Sequence, residues 1–309
     1  VNLNGAHLTH ANLTGAKLRE TQLDHADLTQ ADLTQADLTN AKMTDAVLKQ
    51  AKLHLTNLGY TNLTKANLTE ADMTSAGLDR ADLTKANLTK ADLTGAHLPA
   101  ANLGNANLTH ANLKQLNLRT INLTNADLTE ADLTEADLTG AALPAAVLKQ
   151  AKLHRTNLGY TDLRDADLTE ADMTFAGLDG ADGTAANLAG ANLTAAHLPN
   201  ANLNNANLSK AIFYYAELDG VNLTKADLTK VDLRKADLTG ATMHAAVLQQ
   251  ANLKYAILNH GDATEANLNN ANLTGANLGD VRLAKADLSG ATWYDGFPCA
   301  QGSIGGCVR

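Results

Sequence analysis

Aromatic side chains make up only 3 % of these 309 residues, with four prolines and two cysteines. So few rings leave the interior to small and branched aliphatics, and here that means leucine and alanine. Two cysteines exclude a disulfide-dense scaffold. No apolar run approaches the roughly 18–20 residues of a membrane-crossing helix, so no span is expected. Lys and Arg number 24 against 33 Asp and Glu, a net charge of −9. That balance supports solubility and argues against nucleic acid as a direct ligand, since phosphate binding wants clustered cations.

What the chain has instead is a period. From Leu3 to Trp293 every fifth position is leucine or a close substitute, with no insertion or deletion. A period of five fits neither the 3.6 of a helix nor the 2.0 of a flat strand. It suits a backbone that extends briefly, turns and repeats, each repeat stacking on its neighbours. Placing the central residue and the one two before it inside buries Leu28, Leu33 and Leu38 with Ala26, Ala31 and Ala36. Asp or Asn, Thr and a variable polar residue then point outward.

ADLTQ, ANLTK and ADLTE, which recur along about 95 % of the chain, resemble the pentapeptide-repeat family. The resemblance implies an all-β fold, a right-handed quadrilateral β-solenoid of four pentads per coil. Residues 1–295 would make about 15 coils without inserted loops, a rod on the order of 70 Å long. A longer repeat agrees with a twenty-residue coil. The stretch 46–61 returns almost unchanged at 146–161, and its opening returns at 246–255, each offset being a whole number of coils.

Four leucines and four alanines per coil should fill the bore and leave no channel. Met43, Met73, Met173 and Met243 are adaptable fillers, and Phe213 is an alternative that the family resemblance allows. Gly183 and Ala263 are the irregular central positions. Each removes a leucine side chain from its stack and so marks a locally loosened coil, a bend or a recognition point, and Gly261 beside Ala263 favours the second site as the kink.

Chemistry is sparse. No two of the ten histidines lie twenty residues apart, and His54 and His154 sit five coils from each other, so no metal site is expected. The aspartates form the outward row of the motif. Lys52 between Asp32 and Asp72, and Lys152 between Asp132 and Asp172, read as neutralisation of stacked like charges. No Ser–His–Asp or Cys–His set and no phosphate-binding glycine loop occurs. The expectation is a protein that is not an enzyme, without cofactor or small-molecule substrate.

The leading functional reading is a structural or protein-interaction rod. Counting columns puts Phe175, Tyr215 and Tyr255 on one outward column with Leu55, Tyr214 beside them, and Tyr60 and Tyr160 on the next face. Such an apolar strip on a polar surface marks a partner site or, equally, scattered surface residues. End-to-end or side-by-side self-association also fits. An alternative rests on the resemblance alone: acidic members of the family that confer quinolone resistance mimic DNA and bind a type II topoisomerase. Here Lys and Arg dilute the acid face, and the projecting loops and helical C-terminal module of some of those members are missing. A third reading takes the threonine rows as an ice-binding ladder. Against it, Lys65, Glu70 and Lys90 would roughen that face, and the resemblance implies that these threonines bond corner backbone.

The repeat gives way after residue 295 to a Gly-rich tail, 296–309. Trp293 and Phe297 suit a lid over the last coil. Cys299 and Cys307 would form a small clasp in an oxidising compartment; a zinc half-site or two free thiols are the alternatives. Val1 opens in register without an initiator Met, which suggests a trimmed or processed N-terminus. Many Asn-Leu-Thr triplets (Asn12, Asn67, Asn87, Asn107) would crowd sugars on a eukaryotic secretory route. A bacterial exported protein, in the periplasm, thylakoid lumen or outside the cell, is favoured over a cytoplasmic one.

Overall fold

One pentad shows how five residues make a step and a turn. The Leu28 N–H donates to the Val47 carbonyl at 2.7 Å, and the Val47 N–H donates back to the Ala26 carbonyl at 2.9 Å. The Gln30 N–H donates to the Lys49 carbonyl, also at 2.9 Å. The Ala31 N–H closes on the Leu28 carbonyl and turns the chain. Neighbouring coils are thus joined by backbone bonds on every side while each pentad supplies its own bend. Gln30, the second central residue of that turn, has a φ of 56°. The same left-handed conformation recurs at the fifth position from His10 to Lys285, mostly in residues other than glycine. An L-residue there costs roughly 1–2 kcal/mol. It persists because the bonds on either side over-determine it.

The second residue of the pentad locks the corner. Asp27 Oδ1 accepts the Thr29 N–H at 3.0 Å. Asp37 Oδ1 accepts both the N–H and the hydroxyl of Thr39, at 3.1 and 2.6 Å. Asn87 does the same for Thr89. The threonine hydroxyls therefore bond the Asp or Asn side chain and not the corner backbone, which corrects the expectation above. A carboxylate or amide oxygen two residues away is the nearer acceptor.

The computed structural model describes all residues 1–309, without a helix and with no β-bridge growing into a longer strand. Contacts divide the chain into two compact units, Val1–Lys152 and Leu153–Arg309. Within Val1–Lys152 parallel bridges run from Asn2↔Gln22 to Asp132↔Lys152, each joining residues twenty apart. Within Leu153–Arg309 they run from Asn157↔Gly177 to Asn272↔Thr292 on the same spacing. Four pentads therefore make one coil in each unit. Leucine and alanine fill the bore, with Leu28, Ala26, Leu188 and Ala191 all buried. Phe213 is buried among them.

The irregular central positions leave the ladder whole. The Gly183 N–H still donates to the Asn202 carbonyl at 2.7 Å, and the Ala263 N–H to Arg282 at 2.8 Å. Bridges continue through Asp182 and Asp262 on both sides. The ladder runs unbroken through both positions, and at Gly183 the Leu203 side chain takes the space.

The break lies elsewhere, in Val1–Lys152. The Leu98, Ala100 and Asn117 N–H groups make no ladder bond, and no bridge joins His97 to Asn117 although Asp92↔Asn112 and Asn102↔Asn122 flank the gap. Leu116 and Ile121 stand there at positions that are alanine in most pentads, and both are buried. Two oversized side chains wedge the coils apart and leave a cleft of about 470 Å³ lined by His97, Leu98, Pro99, Leu116 and Arg119. Beside Val221 and Val231, smaller intruders at the same pentad position, the Asn222 N–H still donates to the Ala201 carbonyl at 2.9 Å and the Asp232 N–H to the Ala211 carbonyl at 3.0 Å. A bore packed for alanine absorbs valine and not a pair as large as leucine and isoleucine.

Candidate interaction surface

The exposed rings gather in Leu153–Arg309. Phe175, Tyr215 and Tyr255 occupy one corner column, because ladder bonds run from Phe175 to Thr194, from Ala195 to Tyr214, from Tyr215 to Arg234 and from Lys235 to Lys254. Each ring is about half exposed. Their spacing of two coils corresponds to about 10 Å along the stack. Tyr214 meets Tyr215 edge to face, with ring centroids 4.4 Å apart. Tyr160, 73 % exposed, stands on the adjoining corner and lies over Gly180. Tyr255 lies over Gly275 in the same way. At both sites glycine one coil on is what lets a ring lie flat, since a β-carbon there would strike it.

Cations surround these rings. Arg234 stands 5.1 Å from the Tyr214 centroid, Lys235 4.6 Å from Tyr215 and Lys254 5.2 Å from Tyr255. Arg155 stands over Phe175, which also meets His154 edge-on at 5.7 Å. Lys235 Nζ donates to the Tyr215 hydroxyl at 2.6 Å. That bond lowers the Tyr215 phenol below its ordinary pKa, with a smaller push from the Tyr214 hydroxyl, and raises Lys235 above its own. Arg234 grips Asp232 with two parallel bonds of 2.8 and 2.7 Å. Reading the rings from the sequence missed these cations. Writing the chain in rows of twenty would have found them, since it places Lys210, Lys230, Arg234, Lys235 and Lys254 around the same rings.

Elsewhere side chains pair along columns. Lys52 reaches Asp32 at 3.7 Å, and Asp132 holds both Lys114 at 3.1 Å and Lys152 at 3.6 Å. His197 bridges Asp179 and Glu217 at 3.0 and 2.6 Å, a carboxylate–imidazole–carboxylate row that the column count also missed. His54 and His154 each bond a threonine one coil on. No three His, Cys, Asp or Glu side chains converge into a ligand set.

At the C-terminal end Cys299 and Cys307 are disulfide-bonded, with their Cα atoms 5.1 Å apart. The tail runs back antiparallel over the last coil through Asp287↔Ile304 and Thr292↔Pro298. The Leu288 N–H donates to Ser303 and the Trp293 N–H to Phe297, both at 2.8 Å. Cys299 and Ser303 are buried and Trp293 is half-buried, whereas Phe297 is 60 % exposed under Arg309. Backbone and disulfide form the covering, so Phe297 contributes its carbonyl to the lid while its ring does not.

The family profile described as "Pentapeptide repeats (8 copies)" matches in overlapping stretches over residues 1–182, 186–270 and 264–292. The chain belongs to the pentapeptide-repeat family, whose fold is a right-handed β-helix. No curated protein matches it. Among solved structures it is similar to HetL, a pentapeptide repeat protein involved in heterocyst differentiation regulation in the cyanobacterium Nostoc sp. strain PCC 7120. Identity is 31 % over 92 % of this chain and 94 % of that one, with a TM-score of 0.20. Rfr23 from the cyanobacterium Cyanothece 51142 is 36 % identical over 30 % of this chain and 63 % of its own, with a TM-score of 0.30. A trypsin-treated QnrB1, a plasmid-mediated fluoroquinolone resistance protein, is 20 % identical over 62 % and 89 %, with a TM-score of 0.45.

Proposed function

We propose that the chain is a non-enzymatic scaffold that binds a protein partner through the Phe175–Tyr215–Tyr255 corner of Leu153–Arg309. The observation that carries this is the cluster of half-exposed rings at positions where the fold needs no apolar side chain. Aromatic and Arg side chains are the residues that anchor protein interfaces most often. The bore is filled and offers no pocket for a substrate. The same reading takes the coils as four-sided and nearly fifteen in number, with 1–295 as repeat and 296–309 as tail. It also favours an exported protein, since the Cys299–Cys307 bond suits an oxidising compartment. A DNA-mimicking role would need an acidic side, and this one is basic.

Replacing Phe175 and Tyr215 with Ser tests the proposal. Stability should stay within about 0.5 kcal/mol, because exposed positions carry little folding energy. Capture of a partner from an extract of the source cells should fall. Unchanged capture at unchanged stability would reduce the rings to surface variation.

A further inference from the structure

We infer that the partner presents an acidic polypeptide segment to this side, an inference that rests on the interaction reading above. Three successive coils carry the relevant charges on residues 209–215, 229–235 and 249–255. Lys210, Lys230, Arg234, Lys235 and Lys254 are the cations, and Asp232 is the one carboxylate. Five positive charges less one negative leave four positive, in a chain whose net charge is −9. The corresponding stretches one coil before and one coil after, residues 189–195 and 269–275, carry no charge at all. The patch is an island with edges.

Within it the single carboxylate is already engaged, since Asp232 holds Arg234 in a two-bond pair. No carboxylate lies within ion-pair distance of Lys210, Lys230, Lys235 or Lys254. Columns elsewhere in the molecule place an acid beside a lysine, as at Lys52–Asp32 and Lys285–Glu265. Here the complementary charge has to come from outside.

The rings decide which polyanion. Binding of single-stranded nucleic acid uses open aromatic faces on which bases stack. Arg234, Lys235 and Lys254 stand over Tyr214, Tyr215 and Tyr255, and Tyr214 packs edge to face on Tyr215. The faces are covered from within, and what remains outward is a set of ammonium donors beside half-exposed ring edges and Ile212. Carboxylates with apolar neighbours satisfy that set by charge-assisted hydrogen bonds and contact.

The test uses the full chain and fluorescein-labelled dodecaglutamate, read by fluorescence anisotropy. Saturable binding that weakens with added salt is expected. Lys230→Glu with Lys254→Glu should weaken it about tenfold or more. The fold should survive, because glutamate already occupies the fifth position at Glu130 and Glu170 with left-handed φ, and a carboxylate already occupies the fourth position, that of Lys254, at Asp79 and Asp179. Lys65→Glu with Lys90→Glu, an equal charge change in Val1–Lys152, should leave binding unaltered. Equal weakening by both pairs would overturn the inference, as would no saturable binding, or tighter binding of labelled oligothymidylate of the same length. If dodecaglutamate fails while Phe175→Ser with Tyr215→Ser still reduces partner capture, the acidic chemistry falls and the interaction surface stands. Unchanged capture in that variant removes the interaction reading itself, whatever the peptide does.

Discussion

Leu203 occupies the space left by Gly183: a β-carbon on Gly183 would stand 2.8 Å from Leu203 Cδ2. A missing side chain in this bore is therefore filled by the neighbour one coil on. Restoring the repeat with Gly183→Leu should destabilise the protein by about 1–3 kcal/mol, the usual cost of overpacking. Chemical denaturation of the two proteins measures it. A gain in stability would mean that a cavity exists where Leu203 stands.

Trp293 is the only tryptophan, and its N–H bonds the tail at Phe297. Reducing the Cys299–Cys307 bond, or replacing Cys307 with Ser, should free the tail from residues 286–293 and shift Trp293 emission to the red. Closing so short a loop stabilises by about 2–3 kcal/mol in the chain-entropy account. Far-ultraviolet circular dichroism should hardly change, since the tail bonds the last coil alone. Cooperative loss of the whole β signal on reduction would contradict this.

Acid should loosen the corners. The Thr29 hydroxyl, then its N–H, hold the Asp27 carboxyl below its ordinary pKa; Thr34 does so for Asp32 and Ser289 for Asp287. A pKa lowered on folding contributes stability that is full above the unfolded value of about 3.9 and lost as pH falls through the folded one. Thermal midpoints should therefore decline below about pH 4. Replacing the three aspartates with Asn keeps the Oδ1 acceptor, and should flatten that decline. A midpoint that rises on acidification would show that carboxylate repulsion outweighs the corner bonds.

The period made the coil legible because inward and outward residues alternate by identity, and the duplication at an offset of 100 residues agreed with the four pentads per coil that the family resemblance implied. Three things stayed hidden. The left-handed fifth residue is glycine at only some pentads, such as Gly95 and Gly240, and Gln30, Lys65 and Tyr215 adopt it too under the constraint of bonds on either side. A loosened coil or bend is expected at Gly183 and Ala263, where the central residue shrinks; the ladder instead breaks beside Leu116 and Ile121, where the alanine position swells. Underfilling at Gly183 is met by the Leu203 side chain. Overfilling pushes on backbone, which has no such freedom. The aromatic corner was read from the rings, while its cations were averaged into a net charge that hides which side carries them.

The wedge makes an opposite prediction to ordinary core truncation. Leu→Ala in a filled bore costs about 2–5 kcal/mol, and Leu118→Ala should fall in that range. Leu116→Ala with Ile121→Ala should cost less, because the coils can close and the Leu98, Ala100 and Asn117 N–H groups regain carbonyl partners worth about 1 kcal/mol each. Thr120 adds to the strain there: it is the one β-branched residue with left-handed φ, at 55°. Thr120→Gly should stabilise by about 1 kcal/mol through relief of that conformation, whereas glycine in a regular strand destabilises. Amide hydrogen exchange reads the closure directly. In the double variant the Leu98, Ala100 and Asn117 amides should exchange as slowly as Leu88 and Leu108, whose ladder bonds are 2.7 and 2.6 Å. Amides that stay fast while stability drops by the full truncation cost would show that the wedge props nothing open.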